Sequence, residues 1–281
     1  MASSPTLRRR RLSRHLRELR EAKGYTAQYV TTEAKKRGVG RWSRGKLTRI
    51  ENNEWTRPSP KDVEVLLDIY KVTDPEQRQA YVTLAKQARQ RGWWVGYSDV
   101  LGKGAYVGLE IEASRIRTYQ ALLIPGLLQT AGYARSAMRS AGITDTDEIQ
   151  RHVEARMLRK QILGNPDSPR VWAIIDEAAL RKIPPEIREE QIRYLLDVQR
   201  PEVGVQVLPD SAGLHAATAG SFVILDFPED PSVVYREDIL ASAFYEDPRE
   251  ISRCEVIYDH VHASALSVED SRAFLEALLT T

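Results

Sequence analysis

The sequence contains little cysteine and no long apolar run. Its 281 residues include one cysteine, Cys254, so an internal disulfide is excluded and a reducing compartment is expected. The longest apolar stretch, residues 121–128, is interrupted by Pro125 and Gly126. It is far shorter than the roughly 20 apolar residues that cross a bilayer. No apolar segment follows the first basic residues, as a secretory signal would require. These absences predict a cytoplasmic protein with no membrane partner.

Motifs for common cofactors and catalytic nucleophiles are also absent. No Gly-x-Ser-x-Gly, P-loop or dinucleotide fingerprint occurs. Four residues of the C-terminal part could supply an acid and a base: Asp176, Glu177, Asp210 and His215. Asp176 is better explained as a helix cap and His215 as a polar loop residue. His260 and His262 would lie on different faces of a helix, which disfavours a metal site. The sequence therefore predicts no enzyme, no cofactor and no metal ligands.

The charge of the chain is divided unevenly. Apolar residues make up 42% and charged residues 28%, which is ordinary for a globular protein. Residues 1–92 contain 22 Lys and Arg against 10 Asp and Glu, whereas residues 93–281 contain 19 against 29. A basic part joined to an acidic part predicts one domain for a polyanion and another with a different role. We place these two domains at residues 1–91 and 92–281.

Capping signals divide the basic part into five short helices. Thr26, Ser43 and Ser59 are typical N-cap residues, and Pro60 and Pro75 suit a first helical turn. The predicted helices span about residues 7–23, 26–37 and 43–51, and two more begin at residues 59 and 74 and end by residue 91. The fold predicted for this part is an all-α, five-helix domain.

The second and third predicted helices have the order of a helix-turn-helix motif. In that motif one helix crosses the DNA backbone and the next projects its N-terminal residues into the major groove. Leu47 and Ile50 of the third helix would face the core, and Gly45 would permit close approach to DNA. The predicted base contacts are Arg44, Lys46, Thr48 and Arg49. The predicted phosphate contacts are Thr26, Lys35, Lys36, Arg41 and Ser43.

A run of arginines at the N-terminus has two interpretations. Its members are Arg8, Arg9, Arg10 and Arg11. They could form an arm that enters the minor groove of DNA. They could equally be a solvated chain terminus that contacts no DNA. The sequence leaves both interpretations open.

Three segments of the basic part resemble the xenobiotic-response-element (phage-repressor-like) helix-turn-helix family: Gly24-Tyr25-Thr26, residues 43–52, and Pro58-Ser59. Membership implies a DNA-binding domain of five helices over about residues 7–72. It also implies a homodimer, because such regulators usually read paired half-sites. Two features depart from the family pattern. Ala27 stands where the family usually carries a phosphate-contacting Gln, and the basic link between residues 30 and 43 is longer than usual.

Beyond residue 91 the hydrophobic pattern becomes mixed. Short β-branched segments bounded by Pro, Gly and Asp predict strands at residues 171–176, 203–208, 221–227 and 233–237. Helices are predicted at residues 109–119, 127–138, 144–163, 186–199, 248–265 and 268–279. The predicted fold of this part is an α+β domain, with a small sheet of three or four strands and several helices.

Segments of the acidic part are similar to an actinobacterial regulator family that joins this helix-turn-helix to an antitoxin-like domain of unknown function. They are residues 92–94, 106–110, 124–130, 133–135, 171–180 and 205–209. Members are often encoded beside a small protein, so the resemblance implies a small protein partner. Aromatic residues of the acidic part could form either a core or a small-molecule pocket. The pocket candidates are Trp93, Trp94, Tyr97, Tyr119 and Trp172.

Together these features predict a sequence-specific regulator of transcription that binds double-stranded DNA. Its C-terminal domain would sense a partner protein or a small-molecule effector, or carry the dimer contact. The alternative is an antitoxin-like protein whose main role is to bind a small partner protein, with DNA binding serving autoregulation.

Overall fold

A computed structural model describes residues 4–55, 57–101, 104–165, 168–238 and 241–280. The chain divides into two compact units, residues 1–95 and 96–281. Among the described residues, no helix combines the length and apolar character needed to span a membrane.

The first unit contains the five helices that the capping signals predict. They are α1 (Pro5–Ala22), α2 (Ala27–Lys36), α3 (Arg44–Glu51), α4 (Pro60–Ile69) and α5 (Pro75–Gln87). Each begins after a residue whose side chain accepts a hydrogen bond from a backbone N–H of the first turn: Ser4, Thr26, Ser43, Ser59 and Asp74. These bonds satisfy donors that have no partner inside a helix. The caps therefore fix where the helices begin.

Apolar side chains from these helices meet in one core. Fully buried members include Leu16 of α1, Val30 of α2, Leu47 of α3 and Leu66 of α4. Trp42, just before α3, is also buried, and its indole N–H donates to the carbonyl of Val39 at 2.8 Å. The link between α2 and α3 is thus folded back onto the core.

The second unit combines eight helices with one mixed sheet in the described ranges. The helices are α6 (Ser98–Leu101), α7 (Ala105–Glu110), α8 (Ala131–Ser140), α9 (Thr146–Lys160), α10 (Glu177–Arg181), α11 (Pro185–Asp197), α12 (Pro248–Ser264) and α13 (Val268–Ala277). The strands are β1 (Arg115–Gln120), β2 (Arg170–Asp176), β3 (Val203–Leu208), β4 (Phe222–Asp226), β5 (Val233–Glu237) and β6 (Ser242–Tyr245). The prediction of an α+β domain is confirmed.

The strands lie in the order β3-β2-β1-β4-β5-β6. Strands β1, β2 and β3 are parallel, and β4, β5 and β6 continue the sheet by antiparallel pairing. The sheet therefore has six strands, more than the three or four predicted. The parallel half places the carboxyl ends of β1, β2 and β3 at one edge.

The sequence prediction missed β1 and β6. The helix predicted at residues 109–119 is wrong, because α7 ends at Glu110 and residues 115–120 form a central strand. Two arginines obscured this strand, since charged residues are rare inside a sheet. Strand β6 has only four residues, too few for a clear alternating pattern. The helix predicted from residue 127 begins instead at Ala131, after a cap by Thr130.

An ion network explains how β1 tolerates its charge. Arg117 donates to both carboxylate oxygens of Asp226, at 3.1 and 3.0 Å, and to Glu255 of α12 at 2.7 Å. Arg115 and Ser232 also donate to Asp226, each at 2.7 Å. Burial alone would raise the pKa of Asp226, but the hydrogen bonds from Arg117, Ser232 and Arg115 outweigh it, and the pKa is lowered from 3.8. The network joins β1, β4 and α12.

The lowered pKa of Asp226 predicts a pH-dependent contribution to stability. The contribution is full above the ordinary carboxyl pKa and is lost as the pH falls through the lowered value in the folded state. We expect Asp226→Asn to reduce the free energy of unfolding by about 2 kcal/mol at neutral pH. The difference from wild type should shrink below about pH 4. Urea unfolding between pH 2.5 and 7 measures this, with the exposed Asp197→Asn as control. A constant difference at every pH would contradict the assignment.

Candidate DNA-binding surface

Helix α3 is fixed to α1 by a forked ion pair. The Nε and Nη2 atoms of Arg20 donate to the two carboxylate oxygens of Glu51, at 2.7 and 3.0 Å. The Nη1 atom of Arg20 donates to the carbonyl of Tyr25 at 2.9 Å. The Glu51 side chain is only 8% exposed. Hydrogen bonding to Glu51 raises the pKa of Arg20. This pair positions the C-terminal end of α3 and the turn before α2.

Lys46 fixes the other end of α3. Its ammonium lies 2.8 Å from the carboxylate of Asp62 in α4 and 4.4 Å from the ring centroid of Trp42. The sequence predicted that Lys46 contacts bases. In the structure its ammonium is paired with Asp62, sixteen residues later, and the contact with bases stays a prediction. The pair with Asp62 ties the N-terminal end of α3 to α4.

The remaining predicted base contacts share one exposed surface, which we call the α3 face. It consists of Arg44, Gly45, Thr48 and Arg49, all exposed. Residues 44 and 48, and residues 45 and 49, are four apart and therefore neighbours on a helix. Within the described part of the chain Arg44 makes no ion pair. A Cβ atom on Gly45 would meet only Arg49 Nη1, at 3.6 Å. The α3 face is thus exposed and carries two guanidinium groups. The opposite side of α3 is buried in the core through Leu47 and Ile50.

Two of the predicted phosphate contacts are helix caps. The hydroxyl oxygens of Thr26 and Ser43 each accept a backbone N–H bond of 3.1 Å, at the starts of α2 and α3. Each hydroxyl keeps its own proton for donation. Helix N-termini attract anions, since their first N–H groups lack helical partners. Both residues are exposed and suited to phosphate.

The other predicted phosphate contacts lie on and beside the α2–α3 link. Lys35 and Arg41 are exposed, and neither has an ion pair among the described residues. Lys36 is paired with Glu33 at 2.6 Å, which reduces its freedom to meet a phosphate. The link is ordered by Gly40, whose φ of +75° suits glycine, and a Cβ there would lie 3.3 Å from Asp62. The link therefore presents Arg41 from a fixed turn.

The N-terminal arginines do not fit either of their predicted interpretations. Arg8, Arg9, Arg10 and Arg11 all lie within α1, so they form neither an extended arm nor a solvated terminus. Arg8 is buried and donates to Gln90 at 3.1 Å, and Arg9 donates to Asn53 at 3.1 Å. Burial, together with the charge of Arg10, lowers the pKa of Arg9. Hydrogen bonds to Gln90 and Asn53, which are distant in sequence, hold Arg8 and Arg9 within the first unit.

The aromatic residues predicted to line a ligand pocket make separate local contacts. Trp93 and Trp94 meet edge to face, with ring centroids 6.2 Å apart. Tyr97 lies 5.1 Å from the guanidinium of Arg151. Tyr119 is buried in β1, and the indole N–H of Trp172 in β2 donates to Gln206 at 2.6 Å. The core interpretation fits Tyr119 and Trp172, which pack in one apolar cluster.

The structure brings two of the candidate acid and base residues together with Tyr119, which the sequence analysis named only as a pocket candidate. Asp176 caps α10, as predicted, and its other oxygen accepts a hydrogen bond from Tyr119 at 2.9 Å. His215 lies 3.4 Å from the Tyr119 hydroxyl. Glu177 and Asp210 are tied to each other through the Asp210 N–H. Because β1 was predicted as a helix, the sequence did not place Tyr119 beside Asp176 and His215. Across the described ranges, no group of three His, Cys, Asp or Glu could hold a metal ion.

Gly45 tests whether DNA approaches the α3 face closely. Alanine fits the fold there and favours helix, so Gly45→Ala should stabilise the protein by up to about 1 kcal/mol. The added methyl group should weaken DNA binding, because it separates the helix from the groove. Chemical unfolding and DNA titration measure the two effects. The control is Ser252→Ala on the exposed side of α12, which should leave the DNA affinity unchanged. Higher stability with unchanged affinity for Gly45→Ala would show that DNA does not approach there.

Comparison with known proteins agrees with this arrangement. A family model described as a helix-turn-helix domain matches residues 11–80. A second, described as a domain of unknown function (DUF5753), matches residues 104–277. No curated protein matches the chain, and no solved structure does. The first match supports a DNA-binding regulator rather than an enzyme. Because the second match covers more than half of the chain, the protein belongs to the DUF5753 family and carries an N-terminal helix-turn-helix domain.

Proposed function

We propose that this protein is a sequence-specific regulator of transcription, of the xenobiotic-response-element type, that acts on double-stranded DNA in the cytoplasm. The observation that carries the proposal is the α3 face. Arg44 and Arg49 are exposed on it, while Leu47 and Ile50 on the opposite side are buried in the core. Guanidinium groups can form paired hydrogen bonds with guanine, and threonine can contact either base edges or a thymine methyl group. The α3 face therefore suits the major groove.

The basic surroundings of the α3 face supply the sequence-independent part of binding. Residues 1–92 carry an excess of 12 positive charges. Around α3, the hydroxyls of Thr26 and Ser43 and the side chains of Lys35 and Arg41 are exposed. Contacts of this type release counterions from DNA, so their contribution falls as salt rises. Affinity should therefore have a steep salt dependence, whereas base selectivity should persist.

Within this proposal the protein acts as a homodimer that reads paired half-sites. Its DUF5753 domain would sense an effector or a partner protein, or carry the dimer contact. A second candidate function is favoured by the charge of residues 93–281, which carry 29 acidic against 19 basic residues. In it, the acidic domain chiefly binds a small basic protein, as an antitoxin-like protein of an actinobacterial type would, and DNA binding serves autoregulation.

Binding to DNA from the protein's own promoter region tests the two functions against each other. The full-length chain is titrated at several salt concentrations with random-sequence competitor DNA. Specific binding by a lone dimer supports the regulator. Sequence-blind binding that is lost near physiological salt, together with co-purification of a stoichiometric small protein, supports the partner-binding function.

Two arginines should separate base reading from phosphate contact. We expect Arg44→Ala to cost about 1–3 kcal/mol on the preferred site and to relax the preference at one base position. Arg41→Ala should weaken binding to all sequences alike and lower the salt slope by about one. Arg193→Ala, which removes an exposed arginine from α11, is the charge-matched control. Equal losses on every sequence for Arg44→Ala would remove Arg44 from the base-reading set.

A further inference from the structure

A buried imidazole nitrogen of His215 has no hydrogen-bond partner among the described residues. The atom is Nδ1, and the His215 side chain is only 12% exposed. The other ring nitrogen, Nε2, lies 3.4 Å from the hydroxyl of Tyr119 and 4.0 Å from the carboxylate of Asp176. Buried polar atoms are nearly always paired, since an unpaired one loses hydration without compensation. An unpaired Nδ1 therefore indicates either strain or a missing partner.

The neighbours of His215 determine what Nδ1 can do. Tyr119 has one hydroxyl proton, and it is donated to Asp176 at 2.9 Å. The Tyr119 oxygen must then accept, so Nε2 of His215 is the donor. In a neutral imidazole only one nitrogen carries the proton, which leaves Nδ1 as an acceptor with a free lone pair. In the neutral ring, Nδ1 can therefore accept a hydrogen bond from a donor.

The cluster lies where the sheet changes direction. Tyr119 and Asp176 are at the carboxyl ends of the parallel strands β1 and β2, and β4 pairs antiparallel on the other side of β1. His215 belongs to the loop that runs from β3 to β4 along this edge. In open α/β sheets, ligands bind at carboxyl ends where strand order reverses. The cluster therefore occupies a place at which sheets of that kind bind ligands.

The loop that carries His215 has a glycine near each end. Gly213 and Gly220 adopt φ values of +64° and +127°, which other residues rarely adopt. Between them, the Thr218 hydroxyl donates to the carbonyl of His215 at 2.7 Å. Segment 214–219 is therefore a small closed turn joined to the fold through two glycines. Ala217 of this turn is buried in the core, so the turn holds His215 in place beside Tyr119.

Exposed leucines lie in the two loops that follow β1 and β3 at this edge. Leu122 and Leu123 follow β1 and are 59% and 52% exposed, and Leu214 precedes His215 and is 93% exposed. The two loops are adjacent, because the N–H of Ala121 donates to the Ser221 hydroxyl at 3.0 Å. Exposed apolar side chains that lie together are typical of surfaces that bind an apolar partner. The two loops at this edge therefore carry exposed leucines as well as the His215 acceptor.

We propose that this edge of the DUF5753 domain binds a small apolar molecule that carries a neutral or cationic hydrogen-bond donor, such as an amine or an alcohol. The donor bonds to Nδ1 of His215, and the apolar body lies against the leucines. The carboxylate of Asp176, close to His215, repels a carboxylate or phosphate and attracts an ammonium group. The site would be the sensor of the regulator proposed above and in that role rests on the proposed function. The binding itself does not depend on DNA.

Three six-carbon compounds of matched size test the chemistry: hexylamine, hexan-1-ol and hexanoate. They are titrated into the full-length protein without DNA. Binding is followed by the ring nitrogen signals of His215 and the methyl signals of Leu214. Hexylamine and hexan-1-ol should shift both sets of signals saturably, and hexanoate should bind at least tenfold more weakly. The variant Tyr119→Phe lacks the hydroxyl that fixes the His215 tautomer. Its affinity for hexylamine should be about tenfold lower.

Two histidine variants complete the test. His215→Ala should abolish the saturable shift of Leu214, whereas His260→Ala, which removes an exposed histidine of α12, should not change it. Circular dichroism of each variant verifies that it is folded. Unshifted His215 signals at saturating amine and alcohol would overturn the proposal. So would hexanoate binding as tightly as hexylamine, or undiminished binding to folded His215→Ala. None of these outcomes bears on DNA binding, so the proposed function is tested separately.

Discussion

The forked ion pair between Arg20 and Glu51 is the constraint on which the DNA-binding surface depends. Helix α3 has eight residues, too few for a helix to be stable by itself. Its position therefore comes from tertiary contacts: Leu47 and Ile50 in the core, Glu51 held by α1, and Lys46 held by α4. Removing one partner from a buried ion pair costs about 3–5 kcal/mol. The anchored side is thus costly to disturb, and the opposite side is left open.

The second unit is also held by ion pairs between residues that are distant in sequence. Arg117 sits in the central strand of the sheet because Asp226 and Glu255 surround its guanidinium with carboxylate oxygens. The network lies toward the amino end of β1 and ties the antiparallel half of the sheet to α12. At the other end of β1, Tyr119 joins Asp176 and His215 in a cluster with an unused acceptor. One strand therefore carries a structural charge network at one end and the candidate ligand site at the other.

Local signals explain what could be predicted from the sequence. Thr26 and Ser43 each cap a helix by accepting a hydrogen bond from the N–H three residues later. The helices of the first unit and the α3 face could therefore be predicted from the sequence. The roles of individual charges do not, because their partners are distant. Asp226 lies 109 residues from Arg117. When this partner is unknown, a charged residue such as Arg117 disfavours the prediction of a buried strand. The sequence likewise does not show that Lys46 pairs with Asp62 of α4, sixteen residues later. His215 and Asp176 were candidates, but Tyr119, which links them, lay in a strand assigned as helix.

Base reading by the α3 face is tested most directly by selecting binding sites from a random pool of duplex DNA with the full-length protein. Guanine methylation interference is then measured on the selected sites. Methylation at N7 blocks the major groove without changing the sequence. We predict one enriched motif, arranged as paired half-sites, in which N7 methylation at specific guanines prevents binding. A pool that stays random, or an enriched motif that tolerates methylation throughout, would contradict the claim that the α3 face reads the major groove.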